Sequence, residues 1–269
     1  MSNAVIEPST ESEESMPEDH SEPLAAGGAP RGELVPRSIK ETPDVVMLTQ
    51  RSSVAAERFR RLKTRLVNES KNDERVLSIT SAAPDEGKSF VSLNLSMAFG
   101  AENPSTLLID ADLRRPSIQR WITPTPTIGL TELMTDQVEL DHVLFPMQNS
   151  QTTILPAGGT PSDPTALLSS SKFAKLVEEL RNRFDWILID TPPVVLFSDA
   201  DAVSANCDGV LLVVRAGRTP KPMFKQAIGS LTSAPVVGTV INDVTFNLPD
   251  RQSHYSGYYN WYYYEDRKK

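Results

Sequence analysis

Residues 82–90 read AAPDEGKSF, an A-x-x-x-x-G-K-S run. It matches a phosphate-binding loop with alanine in place of the usual first glycine. In such a loop the backbone of Ala83, Pro84, Asp85, Glu86, Gly87, Lys88, Ser89 and Phe90 lines a path for the β- and γ-phosphates of a nucleotide, with N–H groups offered by every one of them but Pro84. Lys88 adds a mobile cation, and the Ser89 hydroxyl is placed to ligate Mg²⁺. A second run, LLIDADLRRP over 107–116, delivers Asp110 and Asp112 where an apolar segment ends. Two apart in extended chain, these carboxylates point the same way, although a D-x-D at a strand end also serves as a helix cap or a solvated turn. A third run, DWILIDTPP over 185–193, ends an apolar segment in Asp190, the position where a carboxylate holds Mg²⁺ through water.

Each of these residues needs a strand to carry it and a helix to follow. Short β-branched runs occur at VLSITS (76–81), STLLID (105–110), TTILP (152–156), DWILID (185–190), GVLLVVR (209–215) and APVVGTVIN (234–242). Helical patterns fall between them at 88–101, 171–184 and 221–231. The strand runs are almost continuously apolar, as expected when helices cover both faces of a parallel sheet. Alternation at this spacing predicts a doubly wound, mostly parallel α/β sheet with its ligand at the carboxyl ends of the strands. An amphipathic helix precedes it at 55–67, AAERFRRLKTRLV, with Phe59, Leu62 and Leu66 on one stripe.

Composition narrows the options. Of the 269 residues, the first 45 carry ten acidic against three basic side chains, nearly all of the formal charge of −8. The body is therefore close to neutral and makes no case for nucleic-acid binding. Residues 1–45, rich in Glu, Ser, Pro and Gly, read as a disordered acidic segment, 46–245 as the folded domain and 246–269 as a flexible tail. Cys207 is the only cysteine, which excludes an internal disulfide and suits a reducing, cytosolic compartment. No secretory signal and no apolar run of membrane-spanning length is found in the sequence.

The order of the three motifs resembles the phosphate-loop NTPases that include septum-site and chromosome-partitioning ATPases. Those relatives usually carry a second lysine early in the loop, where this chain has Ser81, Ala82, Ala83 and Pro84. From Ala55 to Lys269 the chain resembles the bacterial tyrosine kinase family, the autokinases of capsule and exopolysaccharide assembly. The P-x-E-G-K-S loop, IDADLRRP (109–116), LPAGGTPSDPTALL (155–168) and IDTPPVVLFSDA (189–200) carry the likeness. So does the tail, which holds all six tyrosines: Tyr255, Tyr258, Tyr259, Tyr262, Tyr263 and Tyr264.

The resemblance implies a protein-tyrosine kinase using Mg·ATP, with Lys88 on the phosphates and Ser89, Asp112 and Asp190 around Mg²⁺. It implies Asp110 or Asp112 as the base for the incoming phenol, with Asp110 the favoured one and Asp112 then a partner of the metal; a phenol pKa near ~10 makes it a poor nucleophile at neutral pH. Asn242 would contact adenine, or is a turn residue. Glu57, Arg60 and Lys63, three apart on one helix face, resemble a ring-forming E-x-x-R-x-x-R element with lysine in the last place; on spacing alone they are an ordinary solvated face. Asp85 stands where the family often has glycine. Implied partners are further copies of the chain in a ring, a separate membrane-anchored activator and polysaccharide co-polymerase, and a phosphotyrosine phosphatase. The protein would then lie in the cytoplasm, held to the inner face of the membrane through that partner. A nucleotide-switched scaffold with little tyrosine transfer is the competing function. An aromatic membrane or aggregation patch is the competing reading of the tail, which Gly257, Asn260 and the charges at 265–269 interrupt.

Overall fold

The computed structural model of the chain describes residues 37–70, 74–101 and 105–244. The acidic segment up to residue 36 and the six tail tyrosines lie outside the described residues. A short β1 (Ser38–Ile39), a helical turn α1 (Val46–Thr49) and the long α2 (Val54–Glu69) precede the sheet. Then come β2 (Val76–Ser81), α3 (Lys88–Phe99) and β3 (Thr106–Asp110), followed by a 3₁₀ turn (Ile118–Trp121) and β4 (Ile122–Thr123). Short α4 (Leu130–Met134), α5 (Leu140–Val143) and β5 (Phe145–Pro146) lead to β6 (Thr152–Leu155), α6 (Pro164–Leu168) and α7 (Ser171–Arg181). The chain continues through β7 (Trp186–Asp190), α8 (Asp199–Ser204), β8 (Gly209–Arg215), α9 (Lys221–Ser230) and β9 (Val236–Asn242).

Seven strands form one sheet in the order β5-β6-β3-β7-β2-β8-β9, parallel except for β5. The apolar runs explain this directly. β2, β3 and β7 are buried along their whole length, because α1, α2 and α3 cover one face and α4 and α7 the other. Phe99 packs on Trp186 at 4.5 Å between ring centroids on the first side, while Phe173 fills the second. α2 starts where Ser53 accepts the Ala56 N–H, and it buries Ala56, Phe59 and Leu66. β9 departs from expectation. It is the edge strand, its residues alternate between half-buried and exposed, and Val237 and Ile241 face outward.

The amino-terminal boundary also needs correction. Residues 37–45, assigned from sequence to the disordered segment, belong to the folded body. β1 pairs antiparallel with β4, Lys40 N–H donates to the Trp121 carbonyl at 2.7 Å, and Val45 is fully buried. The Asn94 amide of α3 donates to the Asp44 carbonyl and accepts from Met47 N–H, fastening the entry to α1. Ile39, Val45, Val46 and Met47 supply enough apolar surface to offset the ordering of this stretch.

Candidate active site

Sheet register brings the predicted residues together. Asp110 is the partner of Asp190 across β3 and β7, and Asp190 is the partner of Ile79 across β7 and β2, where the phosphate loop begins. Residues far apart in sequence thus share one carboxyl edge, the edge where open α/β sheets bind ligands. β2 ends at Ser81, and the loop turns into α3 at Gly87, which has φ +90°. A side chain there would be strained by the left-handed backbone and would meet the Asn242 amide 2.1 Å from its Cβ. Only glycine fits.

At the centre is Lys88. Its Nζ lies 2.6 Å from Asp112 Oδ2, 3.7 Å from Asp190 Oδ2 and 3.2 Å from Ser89 Oγ. Burial pulls the ammonium down, but the charges of Asp190, Asp112 and Asp110 outweigh that and leave its pKa raised. Ser89 Oγ donates to Asp190 Oδ2 at 2.5 Å and Ser92 Oγ donates to Asp190 Oδ1 at 2.9 Å. Asp190 is fully buried, and burial pushes its pKa up, partly offset by Lys88 and Ser89. Asp110 is also fully buried. Burial and then the neighbouring Asp190 charge raise it from 3.8 to about 7, although Ile118 N–H, Ser117 N–H and Asp112 N–H all donate to its carboxylate. Asp112 lies beyond the strand end, and its Oδ1 accepts the Arg115 N–H.

Other loop residues do different work from that expected of phosphate contacts. Pro84 and Asp85 are exposed, and Asp85 has a left-handed backbone with φ +60°. Its carbonyl accepts from Arg215. Glu86 turns inward, accepting the Ala83 N–H at 2.9 Å and the Thr219 hydroxyl, so its carboxylate braces the loop. The Phe90 ring packs edge-on against Phe59 at 5.8 Å, which leaves its backbone N–H as its means of meeting a phosphate. Asn242 Nδ2 donates to the Glu86 carbonyl at 2.9 Å, a brace on the loop that its sequence position does not reveal. On α2, Arg60 pairs with Glu57 at 3.2 Å and donates to the Arg51 carbonyl.

Sequence reasoning also misses Ser92, Thr219 and a trio formed by Arg114, Asp199 and Thr165. Ser92 is readable in principle, since it follows Ser89 by three on a helix and so shares its face. The others depend on loops meeting in space.

The donor set suits Mg²⁺. Hard oxygens of Ser89, Asp190 and Asp112 converge, and among the described residues no group of three or more His, Cys, Asp or Glu could hold a metal by itself. Mg²⁺ ordinarily takes only one or two carboxylates and completes its shell with phosphate oxygens and water.

Fold and site together define a phosphate-loop nucleotide-binding protein, and the family model of an AAA domain matches residues 74–219. Among curated proteins, the tyrosine-protein kinase CpsD of Streptococcus agalactiae is 34% identical over 200 residues, covering 73% of this chain and 85% of that one. The succinoglycan biosynthesis transport protein ExoP of Rhizobium meliloti is 35% identical over 191 residues, 69% of this chain; this chain spans only 24% of ExoP. Among solved structures, the kinase domain of the Escherichia coli tyrosine kinase ETK superposes with a TM-score of 0.74 at 28% identity, covering 80% of this chain and 85% of that one. The chain belongs to the bacterial tyrosine kinase family, whose members are protein-tyrosine kinases.

Proposed function

We propose that the protein is an ATP-dependent autokinase that phosphorylates its own C-terminal tyrosine cluster, Tyr255 to Tyr264, in trans within a ring-like oligomer. The observation that carries this reading is the Lys88–Asp112–Asp190 cluster with Asp110 beside it, one ammonium among three buried carboxylates next to the phosphate loop. Lys88 exchanges its carboxylate partners for the β- and γ-phosphates when nucleotide enters. Asp112 and Asp190, thereby freed, would with Ser89 hold Mg²⁺, which would supply positive charge against the negative charge that develops during transfer. The phenol oxygen of a tail tyrosine then forms a bond to the γ-phosphorus, the bond from that phosphorus to the β–γ bridging oxygen breaks, and ADP departs. Asp110 takes the phenolic proton. Burial holds its carboxyl near 7 in the free protein, which suits a base working at neutral pH.

The tether raises the local concentration of acceptor, so little sequence recognition is required. Each added phosphate brings ~−1.5 to −2 charge, and repulsion between tails loosens the ring that Glu57, Arg60 and Lys63 support. Among the described residues no helix is long and apolar enough to cross a membrane. Anchoring and activation are assigned to a separate membrane co-polymerase; in ExoP, by its name a biosynthesis transport protein, the matched region is about a quarter of a longer chain. Regulation of capsule or exopolysaccharide export from the cytoplasmic face, with a phosphatase resetting the tail, completes the proposal.

The test is to incubate the full chain with Mg·ATP and map phosphotyrosine by mass spectrometry, alone and mixed with a tagged Lys88→Met chain. Phosphate is expected on the tail of the tagged inactive chain only in the mixture. Nucleotide turnover with no tail phosphate, even with a membrane-protein fragment that stimulates turnover, would favour the scaffold reading.

A further inference from the structure

Arg114 lies two residues past Asp112, on a loop that belongs to no strand or helix. Its Nε donates to Asp199 Oδ2 at 2.6 Å, and its Nη2 donates to Asp199 Oδ1 at 3.1 Å and to Thr165 Oγ1 at 2.9 Å. The Thr165 hydroxyl in turn donates to Asp199 Oδ1 at 2.5 Å, and the guanidinium lies over the Phe197 ring at 4.4 Å. Asp199, fully buried, opens α8, and Thr165 lies in α6. One side chain thus joins three segments at the carboxyl edge: the Asp112 loop, the glycine–proline connection at 155–168 with its α6, and the stretch after Asp190 that leads into α8.

The tie matters because of what else fixes Asp112. Its own N–H goes to Asp110 and its Oδ1 takes the Arg115 N–H, local bonds that would travel with the loop. Lys88 is its long-range partner in the free protein, and that partner leaves when it turns to a phosphate. Beside the packing of the buried Ala111 and Leu113 in the core, two long-range hydrogen-bonded ties then hold loop residues 111–116 among the described residues: Ala111 N–H to the Asp190 carbonyl, and the Arg114 fork.

We propose that Arg114 is a positioning residue: forked onto Asp199 and Thr165, it holds Asp112 in register with Asp190 after Lys88 has been drawn to the nucleotide. This rests on the kinase reading above. It also gives work to two stretches of sequence, GGTPSDPT and LFSDA, that phosphate chemistry leaves idle. Only arginine presents several donors in one plane; lysine keeps the charge and loses the fork.

The experiment uses the full chain and three variants, Arg114→Lys, Thr165→Val and both together. It reads tail phosphorylation against ATP, the Mg²⁺ concentration for half-maximal effect, binding of a fluorescent ATP analogue, and the thermal midpoint. Arg114→Lys neutralises Asp199 and should melt near wild type. Its kcat should fall about tenfold with KM for ATP nearly unchanged, and its Mg²⁺ requirement should rise severalfold, because a displaced group costs rate rather than ground-state binding. Thr165→Val should move the same quantities about threefold, and the double variant should be no worse than Arg114→Lys, since the two act through one contact. Wild-type kcat and Mg²⁺ requirement in Arg114→Lys, or losses that add in the double variant, overturn the proposal. If wild type transfers no phosphate, the kinase reading falls, and the clamp is judged on the Mg²⁺ requirement for analogue binding: a rise in Arg114→Lys upholds it and no change sinks it.

Discussion

At the amino end of the sheet Asp208 accepts two hydrogen bonds from Arg181, at 2.8 and 2.9 Å, and two more from the N–H groups of Arg75 and Val76. At the carboxyl end Asp110, Asp112 and Asp190 share a single lysine. Burial acts on both places in the same direction. For Asp208 the Arg181 and backbone donors outweigh it, and the pKa ends below the ordinary value. For Asp110 burial prevails and the pKa climbs to about 7. Asp185, just before β7, repeats the first pattern, held low by the hydroxyl and N–H of Ser105. One end of the sheet balances its buried charge, and the other keeps an excess of carboxylates that only cations from outside can satisfy. Uncompensated charge is stored where the ligand enters.

The largest expected departure comes from breaking the balanced end. Arg181→Ala leaves Asp208 with only backbone donors and should cost about 2 kcal/mol of stability, a figure lowered from that of a fully buried pair because both side chains keep some solvent contact. Urea unfolding measures this. Tail phosphorylation per folded molecule should not change, and a variant that lost transfer while keeping stability would erase the contrast between the two ends.

The second test uses pH on nucleotide-free protein with chelator present. The folded chain binds the Asp110 proton more tightly than the unfolded chain does, since its pKa is raised from 3.8 to about 7. Ionising this group therefore costs stability at pH above about 7, and the cost disappears as pH falls toward 3.8. Asp190 is raised and acts in the same sense. Asp208 and Asp185, held low, stabilise above the ordinary carboxylate range and lose that contribution only in stronger acid. The thermal midpoint should thus rise by several degrees between pH 8 and pH 6, and Asp110→Asn should flatten that rise. A wild-type midpoint that falls over this interval would mean the carboxyl end is not overcharged.

The smallest effect concerns Asp85, whose exposed side chain adds one more negative charge at the rim of the same edge. Asp85→Gly removes that charge and suits φ +60°, so nucleotide should bind about twofold tighter, equivalent to a few tenths of a kcal/mol. Isothermal titration reads it directly, and an unchanged affinity would show that the overcharged site does not extend to the solvent-facing part of the loop.

Much of this arrangement is legible in the residues themselves. VLSITS and GVLLVVR become β2 and β8 residue for residue, because unbroken β-branched runs have no helical alternative of comparable burial. The helix after the phosphate loop, expected over 88–101, closes at Phe99, where Gly100 caps it. Motif spacing marks Lys88, Ser89, Asp110, Asp112 and Asp190, and the sheet brings them to one edge. What spacing does not supply is partnership. Residues 37–45 read as disordered because their apolar residues are few and scattered, and they are ordered by β4 and Asn94, which are remote in sequence. APVVGTVIN reads as a buried strand, and its position at the sheet edge, invisible in its own residues, leaves Val237 and Ile241 exposed.

The sequence by itself determined which residues could handle phosphate and in which alternating order strands and helices would carry them, since hydrophobic period and loop chemistry are local properties. Only the tertiary structure decided that Asp110 and Asp190 lie side by side, that Glu86 and Asn242 brace the loop, and that Arg114 grips Asp199 across 85 residues. Burial, charge balance and the bridging of loops arise from chain segments meeting in space, and their energies have no counterpart in neighbouring residues.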